Sequence, residues 1–285
     1  MLLGSHIPTV GGITRAIDRA LGIGCSVMQI FVKNNMQWFA KPLMEEEIAC
    51  FKKHPGREKL EMIVAHAGYL INLGVEKSEN HQKSLRSLGE ELMRCDQLEI
   101  PYLVLHPGSH LGAGIDHGLC CVIESLNTIH ATYPKIKTHI ALETTAGQGS
   151  SLGARFEELA QILLKVQSPE RLAVCLDTAH VFAAGYDISK EHGIEKVMKH
   201  FEEVLGLNQL ALLHLNESKT ALGSHVDRHA NLGDQEHGKI GIETFRWIIN
   251  APEFQKIPKI LETPKGKDLK EDILAIELLK SFLIS

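Results

Sequence analysis

The sequence predicts an α/β fold, a single (β/α)8 TIM barrel spanning residues 1–285, with its functional face at the C-terminal ends of the strands. Short apolar or β-branched runs alternate with polar loops and helical patterns along the whole chain. Eight such runs occur, and each strand and helix together take about 35–40 residues. The 285 residues slightly exceed the roughly 250 that eight such units require. An open doubly wound sheet is the alternative, but no G-x-G-x-x-G follows the first run to support it.

In chain order the predicted strands are Leu2–His6, Ser26–Val32, Met62–His66, Tyr102–His106, His139–Glu143, Leu172–Asp177, Leu210–His214 and Ile257–Glu262. Between them, Leu85, Leu88, Leu92 and Cys95 repeat at helical spacing, as do Phe156, Leu159, Ile162, Leu163 and Val166. The last helix is expected over Asp268 to Phe282, with Asp268 as N-cap and Glu271 three residues on, completing a capping box. Its apolar face would be Ile273, Ile276, Leu279 and Phe282.

Composition narrows the function. With 44% hydrophobic and 23% charged residues the chain is an ordinary globular protein, and a net charge of −5 excludes a broad basic face for nucleic acid unless metal is bound. Three Zn2+ would turn −5 into +1, with the positive charge at one place. No apolar run approaches the roughly 18 residues of a membrane span, and Met1 to Val10 lacks the pattern of a secretory signal, so a cytoplasmic protein with no membrane partner is expected. The six Cys (25, 50, 95, 120, 121, 175) show no C-x-x-C spacing and read as reduced, mostly buried thiols. The 16 His are the unusual count, and histidine is the commonest metal ligand. His54, His81, His117, His130, His192 and His200 fall in helical or connecting stretches and are expected to be exposed.

Six consecutive runs close on a metal-competent side chain: His66, His106, Glu143, Asp177, His214 and Glu262, separated by 40, 37, 34, 37 and 48 residues. One such residue at the end of an apolar run is ordinarily a hydrogen-bonded loop-edge group. Six in series would gather carboxylates on one face with nothing to neutralise them, and a bound cation removes the conflict. D-T-A-H adds His180, and V-D-R-H adds Asp227 and His229, a remote His with an i, i+2 pair that leaves room for water. Nine ligands are too many for one ion. His and carboxylate mixtures suit Zn2+ or Mn2+, and no thiolate is expected near the set.

The segments G-S-H-I-P (4–8), A-H-A-G-Y-L-I-N-L (65–73), L-H-P-G-S-H-L-G (105–112), L-E-T-T-A-G-Q-G-S (142–150), C-L-D-T-A-H-V-F-A-A-G-Y-D (175–187), H-L-N-E-S-K (214–219), L-G-S-H-V-D-R-H-A-N-L-G (222–233) and L-E-T-P (261–264) resemble the endonuclease IV family of zinc-dependent apurinic/apyrimidinic (AP) endonucleases. The resemblance implies three zinc ions per chain: one on His66, His106 and Glu143; a second on Glu143, Asp177, His214 and Glu262; a third on His180, Asp227 and His229. Mn2+ fits one or more of these positions, and no organic cofactor is implied. The activity implied is hydrolysis of the phosphodiester 5′ to an abasic site in duplex DNA, leaving a 3′-hydroxyl and a 5′-deoxyribose phosphate, with trimming of blocked 3′ ends. Glu143 as the bridge and Glu262 beside the attacking water are the carboxylates expected to be catalytic. A two-metal sugar isomerase of the xylose-isomerase-like barrels is the alternative, and it has no use for the His180, Asp227 and His229 set.

The resemblance also places DNA contacts in the loop carrying Lys33, Asn34 and Met36 through Trp38 and at Tyr69 and Leu70, and Arg228 near these loops is a candidate phosphate contact by its charge. Lys219, Lys265 and Lys267 are further cationic candidates, and His6 belongs to the first motif as a site-lining group. Three departures stand out: Met36 replaces a frequent Arg, Gly68 replaces a frequent Pro, and the Gly233 to Gly241 turn is about three residues longer than usual. The A-G-Q-G-S-S stretch (146–151) reads as a tight turn beside the metals rather than a phosphate cradle. A monomer fits a face that must receive bent duplex.

Overall fold

A computed structural model describes residues 1–190 and 192–284. Eight parallel strands close into a barrel: β1 (Leu3–His6), β2 (Val27–Ile30), β3 (Met62–His66), β4 (Tyr102–Leu105), β5 (His139–Glu143), β6 (Leu172–Asp177), β7 (Leu210–His214) and, after a two-stranded excursion, β10 (Lys259–Leu261). β10 pairs with both β7 and β1 and so closes the ring. The excursion is an antiparallel pair, β8 (Glu217–Ser218) with β9 (His229–Ala230), in which Ser218 faces His229. All eight predicted strands are present, four of them shorter than expected by a residue or two at an end.

Helices α1 (Thr14–Gly22), α2 (Glu45–Lys52), α3 (Glu79–Gln97), α4 (Ile115–Thr132) and α5 (Phe156–Lys165) follow the first five strands in turn. α6 (Thr178–Ala184) and α7 (Gly193–Val204) follow β6, α8 (Ile242–Asn250) precedes β10, and α9 (Lys270–Lys280) follows it. Among the described residues, no helix is long and apolar enough to cross a membrane. The start of α9 differs from expectation: Leu269, at φ 55°, is its N-cap, and Asp268 lies one residue outside. Glu271 accepts instead from the Gly266 N–H, so the box is replaced by a turn that leads into the helix.

Two apolar layers hold the barrel. The larger packs the outward faces of the strands against the helices. The smaller lies inside and takes one side chain from each of seven strands and a second from β6: Val27, Val64, Val104, Ala141, Ala173, Cys175, Leu212 and Ile260. β1 contributes Gly4 at this level because a Cβ there would sit 1.7 Å from the Val27 carbonyl oxygen. Strand side chains alternate with period two, so the residues two positions on also point inward, one layer nearer the mouth. Those residues are His6, Gln29, His66, His106, Glu143, Asp177, His214 and Glu262.

Two expectations about burial hold only in part, although all six cysteines are free as expected. Cys25, Cys95 and Cys175 are buried, while Cys50 and Cys120 are exposed and Cys121 is half-buried. His81 and His130 are buried, not exposed, because they occupy the inner faces of α3 and α4; His81 Nε2 bonds Ser125 Oγ at 2.8 Å. His54 and His200 are half-buried, and His117 and His192 are exposed as expected.

Candidate metal centre

The nine candidate ligands converge at the barrel mouth. Glu143, buried on β5, is the hub: Oε2 lies 3.1 Å from His66 Nε2 and 2.9 Å from His106 Nε2. Its other oxygen lies 2.8 Å from His214 Nδ1 and 3.4 Å from His180 Nδ1. One carboxylate therefore faces two separate groups of imidazoles. His66, His106 and Glu143 have ligand atoms close enough to share one ion, and Glu143, Asp177, His214 and Glu262 form a second such group.

The third set stands beside them. Asp227 Oδ2 is 3.1 Å from His180 Nε2, and Asp227 Oδ1 is 3.2 Å from His229 Nε2. Asp177 also reaches this set, with Oδ2 3.9 Å from His229 Nε2, and it is Asp177, His180 and His229 whose ligand atoms lie within range of a common ion. His229 Nε2 is buried without a hydrogen-bond partner despite its nearness to Asp227. A buried nitrogen close to two carboxylates without the geometry of a hydrogen bond to either fits a site built for a cation.

The local sequence explains the placement. Asp177 ends β6 and N-caps α6, accepting the His180 N–H at 2.9 Å with Oδ1 while Oδ2 turns to the cluster. That cap puts His180 in the first turn of the helix, three residues above its strand. The Asp227 and His229 segment docks on the 146–151 turn: His225 Nδ1 meets the Ala146 carbonyl at 3.0 Å and the Asp227 N–H meets Gln148 Oε1 at 2.9 Å. Gly147, at φ +73°, lies where a Cβ would come within 2.9 Å of the His225 ring, so this turn is a docking surface for the ligand loop.

Acceptors behind the rings fix their orientation. The His66 Nδ1–H donates to the Ala67 carbonyl (2.7 Å), the His180 Nδ1–H to the Thr144 carbonyl (2.8 Å) and the His214 Nε2–H to Gln29 Oε1 (2.9 Å). Such partners set the tautomer of a metal-binding imidazole. The Gln29 amide NH2 in turn donates to Glu262 Oε1 at 2.6 Å and lies 2.9 Å from His6 Nδ1. Asn216 acts in the same way on the other side, donating to Asp177 Oδ2 at 2.5 Å and accepting the Glu262 N–H at 2.8 Å.

Burial alone would raise the Glu143 carboxyl, but the His214 and His106 imidazoles hold it well below the carboxylate range. Burial would likewise lower His180, and Asp177 with Asp227 raises it well above normal. Burial lowers His6, so that ring is neutral beside Glu262.

Gln29, Asn216 and Cys175 belong to this site and were not singled out by sequence. Cys175 brings a thiol, though no thiolate, to the set: it sits two residues before Asp177 on the same face, within ligand range of Glu143 and His214. Burial pushes its thiol up to about 12, which keeps it protonated.

The proposed DNA contacts divide. Met36, Tyr69, Asn34 and Arg228 are exposed and Leu70 is half-buried. Tyr69 stands edge-on to Phe31 at 5.6 Å and tilted over His66 at 5.9 Å, at the rim of the cluster. With Arg228, His106, His180 and Asp227 it lines a cavity of about 350 Å3. Lys33 is corrected: its ammonium is buried, paired with Glu91 at 2.8 Å and donating to the Gln37 carbonyl at 2.7 Å, so it braces the loop instead of facing phosphate. Glu91 also accepts the Gly68 N–H at 3.0 Å, a bond that a proline at 68 could not make. Lys265 is similarly engaged, with Asp272 (2.9 Å), Ser5 Oγ (2.7 Å) and the His6 carbonyl (2.9 Å). Lys219 and Lys267 are exposed.

A closed parallel barrel with three clusters of imidazole and carboxylate at its mouth defines a metal-binding TIM barrel. The family described as xylose isomerase-like TIM barrel matches residues 17–281. The probable endonuclease 4 of Chloroflexus aurantiacus is 43% identical over 280 residues, covering 98% of this chain and 97% of that protein. Its counterpart in Geobacter sulfurreducens is 43% identical over 278 residues, covering 98% and 93%. The crystal structure of endonuclease IV from Thermus thermophilus superposes with a TM-score of 0.85 at 32% identity, covering 99% of this chain and 98% of that one. A D-tagatose 3-epimerase-like protein shares the fold at 16% identity and a TM-score of 0.73. The chain belongs to the endonuclease IV family.

Proposed function

We propose that this chain is a metal-dependent DNA-repair phosphodiesterase that cleaves duplex DNA on the 5′ side of an abasic site, leaving a 3′-hydroxyl and a 5′-deoxyribose phosphate, and that it also clears blocked 3′ ends. The observation that carries this reading is the hub at Glu143, whose two oxygens each face a different pair of imidazoles, with the His180, Asp227 and His229 set alongside. A sugar isomerase needs two metal positions and leaves that third set without a task.

Three zinc ions are the proposed complement: one on His66, His106 and Glu143, one on Glu143, Asp177, His214 and Glu262, and one on His180, Asp227 and His229, with Mn2+ able to replace zinc. Bound there, they supply a nucleophile from water at neutral pH and offset the charge of the phosphate. The protein's own groups do the positioning. Glu143 spaces two of the ligand groups, Glu262 is aimed by Gln29 and Asn216, and the imidazoles are held in one tautomer by Ala67, Thr144 and Gln29. No Ser or Cys nucleophile is required.

Selection for a missing base falls to the rim. Tyr69, Leu70 and Met36 are the proposed apolar wedge for the gap left in the stack, and Asn34 and Arg228 the proposed backbone contacts. The proposed unit is the whole chain acting as a monomer.

Incubation of a duplex carrying one abasic analogue with the zinc-loaded wild type and with Glu143→Ala tests the reading. A nick 5′ to the analogue made by the wild type alone, with a 3′ end that a polymerase extends, supports it. An intact strand, or isomerisation of a sugar without nicking, rejects it.

A further inference from the structure

Away from the barrel mouth, α4 carries a second group of metal-competent side chains. His117 and Cys121 are four residues apart on that helix and so share a face. Cys121 Sγ lies 3.6 Å from His117 Nε2, and the same nitrogen lies 3.2 Å from Glu76 Oε1 in the segment leading to α3. Around a tetrahedral zinc, with Zn–S about 2.3 Å and Zn–N and Zn–O about 2.0–2.2 Å, the ligand atoms stand about 3.5 Å apart for S and N and about 3.4 Å for N and O. Both observed separations match edges of such a tetrahedron, and they meet at the imidazole nitrogen. The third edge, from carboxylate to sulfur, would require the exposed Glu76 side chain to turn toward Cys121.

The surroundings favour a cation. The three side chains line a cavity of about 950 Å3 between α3 and α4, with Glu124, Cys120 and one cation, Lys77, also in its wall. Burial raises the Cys121 thiol, and Glu124 and Glu76 raise it further, so the field at the sulfur is negative. A divalent ion reverses that effect and takes the thiolate.

We propose that His117, Cys121 and Glu76 form a separate site for a thiophilic divalent cation, zinc by its donor set, with water completing the shell. The Glu76 carboxylate is 79% exposed and the His117 ring 43% exposed, so the ion exchanges with solvent. Occupancy would staple residue 76 to α4. The site shares no residue with the barrel-mouth clusters.

Zinc-loaded protein, freed of excess metal, is titrated with Cd2+ and followed by the ultraviolet thiolate-to-cadmium charge-transfer band. One equivalent producing the band in the wild type, in Cys120→Ser and in Cys175→Ser is the expected result. Cys121→Ser should abolish it with the circular dichroism unchanged, His117→Gln should weaken binding at least about tenfold, and added Zn2+ should erase the band. No band at saturation, a band that survives Cys121→Ser or disappears in Cys120→Ser or Cys175→Ser, or a band that Zn2+ leaves in place overturns the proposal.

Discussion

The Gln29 side-chain oxygen accepts the His214 Nε2–H at 2.9 Å, and this single bond leaves Nδ1 as the nitrogen that faces Glu143, Glu262 and Asp177. The other end of the same amide donates to Glu262. One uncharged residue thus aims two of the proposed ligands. Gln29→Leu should lower zinc affinity at the Glu143, Asp177, His214 and Glu262 group by about 10- to 100-fold. Competition with a chromophoric chelator measures this, and an unchanged affinity would remove Gln29 from the site's support.

Metal removal is expected to destabilise the fold, because the ions bind the assembled mouth and not the unfolded chain. For each site saturated at about 100 times its Kd, the loss corresponds to about 2.7 kcal/mol, or about 5–10 °C in Tm for a chain of this size. Calorimetry before and after dialysis against chelator gives the comparison; equal Tm values would contradict tight loading.

Sequence made most of this site legible because its geometry follows a local rule. Each ligand that closes a strand run stands two residues after a member of the inner apolar layer, as Val64 precedes His66 and Ala141 precedes Glu143. Applied to the second strand, the same rule finds Gln29 above Val27, and in β6 it puts Cys175 beneath Asp177. Neither was found because glutamine was not counted as metal-competent and the cysteine was not placed on a face. Lys33 and Lys265 escaped for a different reason: their partners, Glu91 and Asp272, lie 58 and 7 residues away and no local pattern announces an ion pair. The α9 start was misplaced by one residue because Leu269 takes a left-handed conformation that leucine rarely adopts.

Gly4→Ala should break the barrel seam. The added methyl would stand 1.7 Å from the Val27 carbonyl oxygen, a backbone atom that cannot step aside without parting β1 from β2. A loss of at least about 3 kcal/mol is expected in urea denaturation. A variant of wild-type stability would show that β1 has more freedom than the register implies.

His130 supplies a pH dependence. Burial, and then Arg171, push its pKa down to about 4 from 6.5. The unfolded chain takes up this proton near pH 6.5 and the folded chain resists until about 4, so stability is lost as pH falls through that window. His130→Gln should lose less Tm than the wild type between those pH values in chelator-treated protein. Parallel curves would refute the assignment.

Tyr69→Ala should weaken binding to abasic duplex by about tenfold to hundredfold while the zinc content stays the same. Band-shift titration alongside elemental analysis separates the two quantities. Lost zinc would place Tyr69 in the support of His66 instead of at the DNA surface.

The most direct test is anomalous diffraction at the zinc edge from crystals of the zinc-loaded protein. The account predicts peaks at three positions in the barrel mouth: among His66, His106 and Glu143; among Glu143, Asp177, His214 and Glu262; and among His180, Asp227 and His229. A mouth without anomalous density, or one holding a single ion with Asp227 and His229 turned away from it, would contradict it.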